Sequence, residues 1–194
     1  MTKKGRDRQM IAKIIRDKED RDERSLKDGR PILLERKGRI LEITAHYEGV
    51  YGMGEKFDFL NQKGRTVINQ VVEKFCNQGS FSYCVTPFFM TDAGFGIYVE
   101  TKERTVFSFQ EKICCEIPES AAVYVFLGSM QEILSDYIDL SGRPKLPPAY
   151  AFGIWISANR WNCEEDVEEQ LACLKKYHFP ASVLVLEAWS DEST

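Results

Sequence analysis

The spacing of apolar positions changes twice along this chain, and each change marks a boundary. From Pro31 to Leu127 apolar residues come in short segments separated by turn residues. Pro31-Ile-Leu-Leu-Glu35 and Arg39-Ile-Leu-Glu-Ile-Thr-Ala-His-Tyr47 flank Arg36-Lys37-Gly38, which reads as a hairpin with a glycine free to take positive φ. A glycine-bearing turn follows at Tyr51-Gly-Met-Gly-Glu-Lys-Phe57. Strand-like runs then lie at Val67–Val72, Phe81–Met90, Gly94–Glu100, Thr105–Phe109, Lys112–Ile117 and Ala121–Leu127. Pro87 marks its run as an edge or a bulge, because proline donates no ladder hydrogen bond. Short strands with turns every 8–12 residues predict an antiparallel β-sandwich.

At Ser129 the period becomes helical. Met130, Ile133, Leu134, Tyr137 and Ile138 share one face, Ser129 can cap the helix and Gly142 can end it. A Pro-rich hinge follows, Pro144 to Pro148, and the pattern changes again to continuous apolarity. Tyr150–Ser157 reads as a buried strand. A helix capped by Asn162 carries Glu164, Glu165 and Asp166 in its first turn and Lys175 and Lys176 in its last, which suits the helix dipole. Val167, Leu171 and Leu174 form its stripe, Phe179-Pro180 stops it, and Ser182–Glu187 is a second apolar strand. Continuous rather than alternating apolarity predicts a parallel βαβ unit covered on both faces. Before Pro31 the pattern is thin. Gln9–Arg16 fits either a short amphipathic helix or a strand, and Asp17–Arg30 reads as loop.

Charge and cysteines narrow the class. The 194 residues carry a net charge of −4, unevenly spread, since residues 1–30 hold 11 Lys/Arg against 7 Asp/Glu. Acids interspersed among these bases favour an ordinary solvated segment over a nucleic-acid or membrane arm. Neither a secretory signal nor a run of membrane-span length is visible. Cysteines at 76, 84, 114, 115, 163 and 173 form no CxxC pair, and the two histidines are far apart, which argues against zinc and for reduced thiols in a cytoplasmic protein.

In parallel α/β architectures, chemistry gathers at the C-terminal ends of strands. Two such ends are present, Ser157-Ala-Asn-Arg-Trp161 and Glu187-Ala-Trp-Ser-Asp191. Each sets polar groups beside a tryptophan, equipment that can grip a sugar, although strand-end carboxylates are more often solvated or paired. The glycine turn at 51–55 lacks the third glycine and the following helix of a nucleotide loop.

Three motifs together carry a more specific resemblance. Tyr51-Gly-Met-Gly-Glu-Lys-Phe57, then Thr86-Pro-Phe-Phe-Met90 with Gly94-Phe-Gly96, then Gly142-Arg-Pro-Lys-Leu-Pro-Pro148 with Phe152-Gly-Ile-Trp155, resemble glycoside hydrolase family 31 in order and spacing. The resemblance covers about residue 30 to the end. It implies a galactose-mutarotase-like sandwich packed on an eight-stranded (β/α) barrel of the TIM type. It also implies retaining hydrolysis of α-glucosides or α-xylosides by two carboxylates about 5–5.5 Å apart.

The family carries its nucleophile on the fourth barrel strand and its acid further on, so both are expected beyond Thr194, and this chain alone is expected to be inactive. On this basis the chain divides into a charged segment (1–29), the sandwich (30–128), a linking helix and hinge (129–145), and an incomplete barrel start (146–194). Sugar contacts carried over by the resemblance are Glu187, in place of the usual Asp, with Trp189 walling the subsite, Arg160 after the first strand, and Asn69 in the sandwich. Asn69 lacks the acid that normally follows it. Glu55 is expected to be structural, satisfying backbone donors. The implied partner is an α-linked oligosaccharide, with no cofactor, nucleic acid or membrane, and oligomerisation stays open for the full-length enzyme. Two rivals remain: a non-catalytic carbohydrate-binding or interaction sandwich, and an α/β enzyme of another chemistry using Cys163 or Glu187.

Overall fold

The computed structural model describes residues 13–15, 19–73, 78–79, 81–158, 160–161 and 163–186. The chain forms two compact units, Met1–Arg143 and Pro144–Thr194.

Among the described residues the first unit is two antiparallel sheets. Its strands are β1 (Lys13–Ile15), β2 (Glu19–Ser25), β3 (Pro31–Lys37), β4 (Ile40–Thr44), β5 (Val50–Gly54), β6 (Thr66–Asn69), β7 (Val85–Thr91), β8 (Phe95–Glu100), β9 (Thr105–Phe109), β10 (Ile113–Glu116) and β11 (Ala122–Leu127). One sheet runs β1-β11-β8-β7-β5 and the other β2-β3-β4-β10-β9-β6. Alternation puts one face of each sheet into a shared core. Ile32, Leu34, Leu41, Ile43, Phe107 and Ile113 come from one side, and Phe89, Phe95, Ile97, Val99, Val123 and Val125 from the other. Each fully buried aliphatic or aromatic side chain gains about 1.5–3 kcal/mol over its exposed state, which makes this layer the main source of cohesion.

The expectation of a loop over Asp17–Arg30 is overturned at Glu19–Ser25, while Leu26–Arg30 is a turn as expected. β2 pairs with β3 along its whole length, Glu19 opposite Lys37, Arg21 opposite Glu35 and Ser25 opposite Pro31. Its exposure alternates strictly between exposed and half-buried. It is an edge strand, held by backbone ladder bonds and opposite-charge cross-strand pairs rather than by apolar burial. For Gln9–Arg16 the strand alternative holds at Lys13–Ile15, which pairs with β11. The charged stretch thus supplies one edge strand to each sheet. Arg36, 1% exposed, fastens that side. Its guanidinium donates to the carbonyls of Ile15 (3.3 Å), Ala121 (2.7 Å), Pro118 (3.0 Å) and Glu119 (2.9 Å).

The glycine turn is the tail of β5. Gly52 (φ 123°) and Gly54 (φ 81°) sit so close to β7 that a Cβ would lie 2.5 Å from the Phe88 carbonyl and 2.4 Å from that of Cys84. Met53 between them is also left-handed (φ 73°) and fully buried. The β5–β7 register shifts here, Gly52 facing Phe89 and Gly54 facing Val85, and Pro87 falls within the extra residues of β7. The proline therefore marks a bulge and not an edge, since β7 lies between β8 and β5.

Helix α1 (Met130–Ser141) starts at Ser129, whose hydroxyl accepts from the Glu132 N–H while the Glu132 carboxylate accepts from the Ser129 N–H (2.8 Å), a capping box. Its Ile133 packs with Phe88, Tyr124 and Phe126 on the outer face of the five-stranded sheet, where Tyr137 stacks on Phe88 at 3.9 Å.

The second unit holds a 3-10 turn (Ala149–Phe152), β12 (Ile154–Ser157), α2 (Glu164–Lys176) and β13 (Ala181–Val185). β12 and β13 are parallel, so this is a βαβ unit. The helix begins after Cys163 as cap, and Asn162, assigned that role from the sequence, lies outside the described residues. The expectation of strands buried on both faces is not met among the described residues, since Ile154 and Trp155 are exposed. One helix against a two-stranded sheet leaves much of the apolar run open to solvent.

Candidate functional site

Asn69 ends β6 and Thr105 begins β9, directly opposite one another in the ladder. A short turn, 101–104, joins β8 to β9, so these two residues share an end of the sandwich with Gly54 and Val85. The parity of β6 puts Val67 and Asn69 on the inner face, and that of β9 puts Thr105 there with Phe107 and Phe109. A cavity of about 470 Å³ opens at this end, lined by Asn69, Val71, Val85, Pro87, Arg104 and Thr105 among others. Asn69 is 3% exposed and Thr105 1% exposed. Neither the amide oxygen and nitrogen of Asn69 nor the hydroxyl of Thr105 has a hydrogen-bond partner. Asn69, carried over as a sugar contact within the strand-like run Val67–Val72, is a buried strand-end residue, because its position shares parity with Val67.

The same end carries the Glu55-Lys56-Phe57 exit from the glycine turn, whose Glu55 N–H donates to the Cys84 carbonyl at 2.8 Å. The Lys56 ammonium is shielded and unpartnered, and burial pushes its pKa below the ordinary value against the pull of Asp58. The Phe57 and Tyr83 rings lie 6.2 Å apart, both exposed. Glu55 departs from its expected role. It is exposed, and its carboxylate accepts no hydrogen bond among the described residues.

In the second unit, parallel pairing brings Ser157 opposite Val185, so β12 and β13 end side by side. Arg160 follows β12 and is exposed. The Ala158 N–H donates to the Val185 carbonyl at 2.9 Å and fixes the start of that loop. Glu187 and Trp189, the principal sugar contacts expected from the sequence, lie outside the described residues. The structure thus places Arg160 at a strand end and Asn69 in a cavity of the other unit, each considered within its own unit. Sequence reasoning missed Thr105, although the alternation Thr105, Phe107, Phe109 puts it on the core face.

Asn69 and Thr105 do not titrate near neutral pH, so neither supplies acid–base chemistry here. Among the described residues no three His, Cys, Asp or Glu side chains converge to hold a metal. No helix among them is long and apolar enough to cross a membrane. Cys84, Cys114, Cys115, Cys163 and Cys173 are all free thiols. Burial of Cys115 pushes its thiol well above the ordinary range, as fits a small core residue.

Comparison with known proteins adds four findings. Residues 25–107 match the family described as the glycosyl hydrolase 31 N-terminal galactose mutarotase-like domain. The isomaltosyltransferase of Sporosarcina globispora is 30% identical over 158 residues, 76% of this chain but only 14% of that protein. Alpha-glucosidase 2 of Bacillus thermoamyloliquefaciens is 30% identical over 160 residues, 77% of this chain and 20% of the relative. Among solved structures, the cycloalternan-degrading enzyme from Trueperella pyogenes in complex with isomaltose matches with a TM-score of 0.71 at 29% identity, covering 93% of this chain and 29% of that one. The chain therefore spans less than a third of the length of each of these proteins.

Proposed function

This chain belongs to glycosyl hydrolase family 31, and from that membership we propose that it is the N-terminal portion of a retaining α-glycosidase acting on α-glucosides or α-xylosides. The observation that carries the reading is the match to an isomaltose-bound enzyme over 93% of the chain, a coverage that runs past the sandwich into the βαβ unit. On this reading β12 and β13 are the first two strands of a (β/α) barrel, and their adjacent C-terminal ends form one edge of a sugar subsite. Glu187 accepts hydroxyls of the sugar being cleaved, Trp189 supplies an apolar wall, and Arg160 contacts the substrate from the β12 side. A Glu in place of the usual Asp reaches further by one methylene and shifts which hydroxyl is held.

The nucleophile and acid that would stand about 5–5.5 Å apart in a retaining enzyme belong on this reading to later strands. The 194-residue chain is therefore expected to bind sugar at its strand ends and to leave 4-nitrophenyl α-glucoside and α-xyloside unhydrolysed. Isomaltose should quench the emission of Trp189, and Glu187→Gln should weaken that response. Turnover of either glycoside that disappears in Glu187→Gln would overturn the assignment of the catalytic groups, and a Trp189 emission indifferent to isomaltose would overturn the subsite.

A further inference from the structure

We propose that the free edge of β2 is an interface for a second copy of this chain, the two β2 strands pairing antiparallel about a two-fold axis at Asp22. A sheet edge presents unpaired N–H and C=O groups, and proteins blunt such edges by shortness, bulges, proline or charge. Of the four edge strands of the sandwich, three are blunted by shape. β1 has three residues and β6 four, and β5 carries the register shift at its glycines. β2 has seven residues, roughly 23 Å of strand at the usual rise. It contains neither proline nor glycine and pairs with β3 in one unbroken register from Glu19 to Ser25. Charge alone guards this edge.

Charge repels a second copy only when like signs meet, and the signs along β2 are instead self-complementary. In Glu19-Asp-Arg-Asp-Glu-Arg-Ser25, antiparallel pairing centred on Asp22 sets Arg21 opposite Glu23 of the second copy and Asp20 opposite its Arg24. Each contact occurs twice, because a two-fold interface is isologous. Glu19 meets the neutral Ser25. The one like pair is Asp22 against itself, and each of these carboxylates already accepts from Arg24 of its own strand at 2.7 Å. Arg21 and Glu23 both lie on the exposed face of their sheet, so this register continues outer face into outer face. A slip of one residue brings Asp20 against Glu23, or Arg21 against Arg24 with Asp22 against Glu23. It would also join the outer face of one sheet to the inner face of the other. The centred pairing makes the two six-stranded sheets one continuous sheet. This surface lies wholly in the first unit and does not depend on the glycosidase reading.

The test follows the mass of the 194-residue chain by sedimentation equilibrium up to millimolar concentration, at low and at high salt. A reversible monomer–dimer equilibrium is expected, weak because a single strand pair buries little surface. Salt should weaken it further by screening its charges. Glu23→Arg sets arginine against Arg21 twice per dimer and should raise the dissociation constant at least about tenfold. Its melting temperature should match the parent's, since Glu23 faces the uncharged Leu33 within its own sheet. Arg21→Glu should lose the dimer in the same way. Mixing the two variants should restore a dimer containing one of each, because positions 21 and 23 then carry opposite signs on the two strands. Should Arg21→Glu fail to fold, since it sets a second carboxylate opposite Glu35, the salt response of the parent and the mass of Glu23→Arg decide. A chain that stays monomeric at every concentration overturns the proposal. So does a dimer indifferent to both Glu23→Arg and salt, which would place association on the apolar surface of the second unit. Two folded variants that remain monomeric when mixed overturn it as well.

Discussion

The sandwich and the βαβ unit contain equally regular secondary structure, but they bury it to very different depths. In Met1–Arg143 the two sheets enclose a layer in which Phe89, Phe95, Phe107 and Phe109 are sealed from solvent. In Pro144–Thr194 only Ala158 is buried among the described residues, no residue of α2 is buried, and Trp155 stands 53% exposed. The helices repeat the contrast. α1 closes a full capping box and seats Ile133 in an apolar cluster, whereas α2 makes no side-chain cap hydrogen bond. Hydrogen-bond ladders and dipole-matched charges are thus enough to shape an element. Cohesion comes from a second apolar layer, and an isolated helix of some 12–15 residues is marginal without one. Local stability should follow that division, with sandwich amides exchanging through global unfolding and α2 amides through local opening.

The largest expected effect tests the deep half of this contrast. Phe89 is fully buried and meets Phe95, Phe107 and Phe109 edge to face, with centroids 6.4, 6.0 and 5.1 Å away. Phe89→Ala removes these contacts and leaves a cavity that rigid sheets cannot collapse, at a cost of about 3–5 kcal/mol. Urea denaturation followed by circular dichroism should show the midpoint fall with little change in slope. A loss below about 1 kcal/mol would mean that the aromatic layer is loosely packed and would remove the difference between the units.

How far the fold could be read in advance follows the same division of causes. The antiparallel strands from Pro31 onward and α1 with its Ser129 cap were legible, because apolar period and capping chemistry act locally. The strand β2 was not, since its residues Glu19–Ser25 contain no apolar side chain. Its one readable sign was the charge complementarity of Glu19 and Arg21 with Lys37 and Glu35, which becomes visible only once the register is known. The structural placing of Arg36 has the same origin, because its carbonyl partners are brought together by tertiary folding. At the candidate site Asn69 was picked out by family resemblance and then found buried, a matter of strand parity. Thr105 was passed over because a threonine at a strand start carries no signal until its neighbour across the ladder is known.

A smaller effect sharpens the contrast between the two helices. Lys27, together with the N–H and hydroxyl of Ser129, holds the Glu132 carboxyl at about 2, well below its ordinary 4.5. A carboxylate with a lowered folded-state pKa stabilises the fold fully above its unfolded value, and that contribution is lost as pH falls from about 4.5 towards about 2. Glu132→Gln can keep the cap hydrogen bond but not the charge. The melting temperature of the parent should therefore exceed that of the variant at neutral pH, and the gap should close across this acid window. A gap that stayed constant down to the lowest pH would show that the ion pair with Lys27 adds nothing to the α1 cap.

The smallest effect is expected where the contrast is most exposed to failure. Leu171 of α2 lines a groove of about 570 Å³ with Ile156 of β12 and Val183 of β13, yet it remains 39% exposed. Leu171→Ala removes only part of a buried side chain, and alanine, the best helix former, returns some of that loss through backbone propensity. The net change should stay within about 0.5 kcal/mol, read as roughly a twofold change in the hydrogen-exchange rates of α2 amides. Acceleration of tenfold or more would mean that Leu171 is held nearly as firmly as the aromatic layer of the sandwich. The βαβ unit would then have a packed interior of its own, and its exposure in the described structure would no longer measure its cohesion.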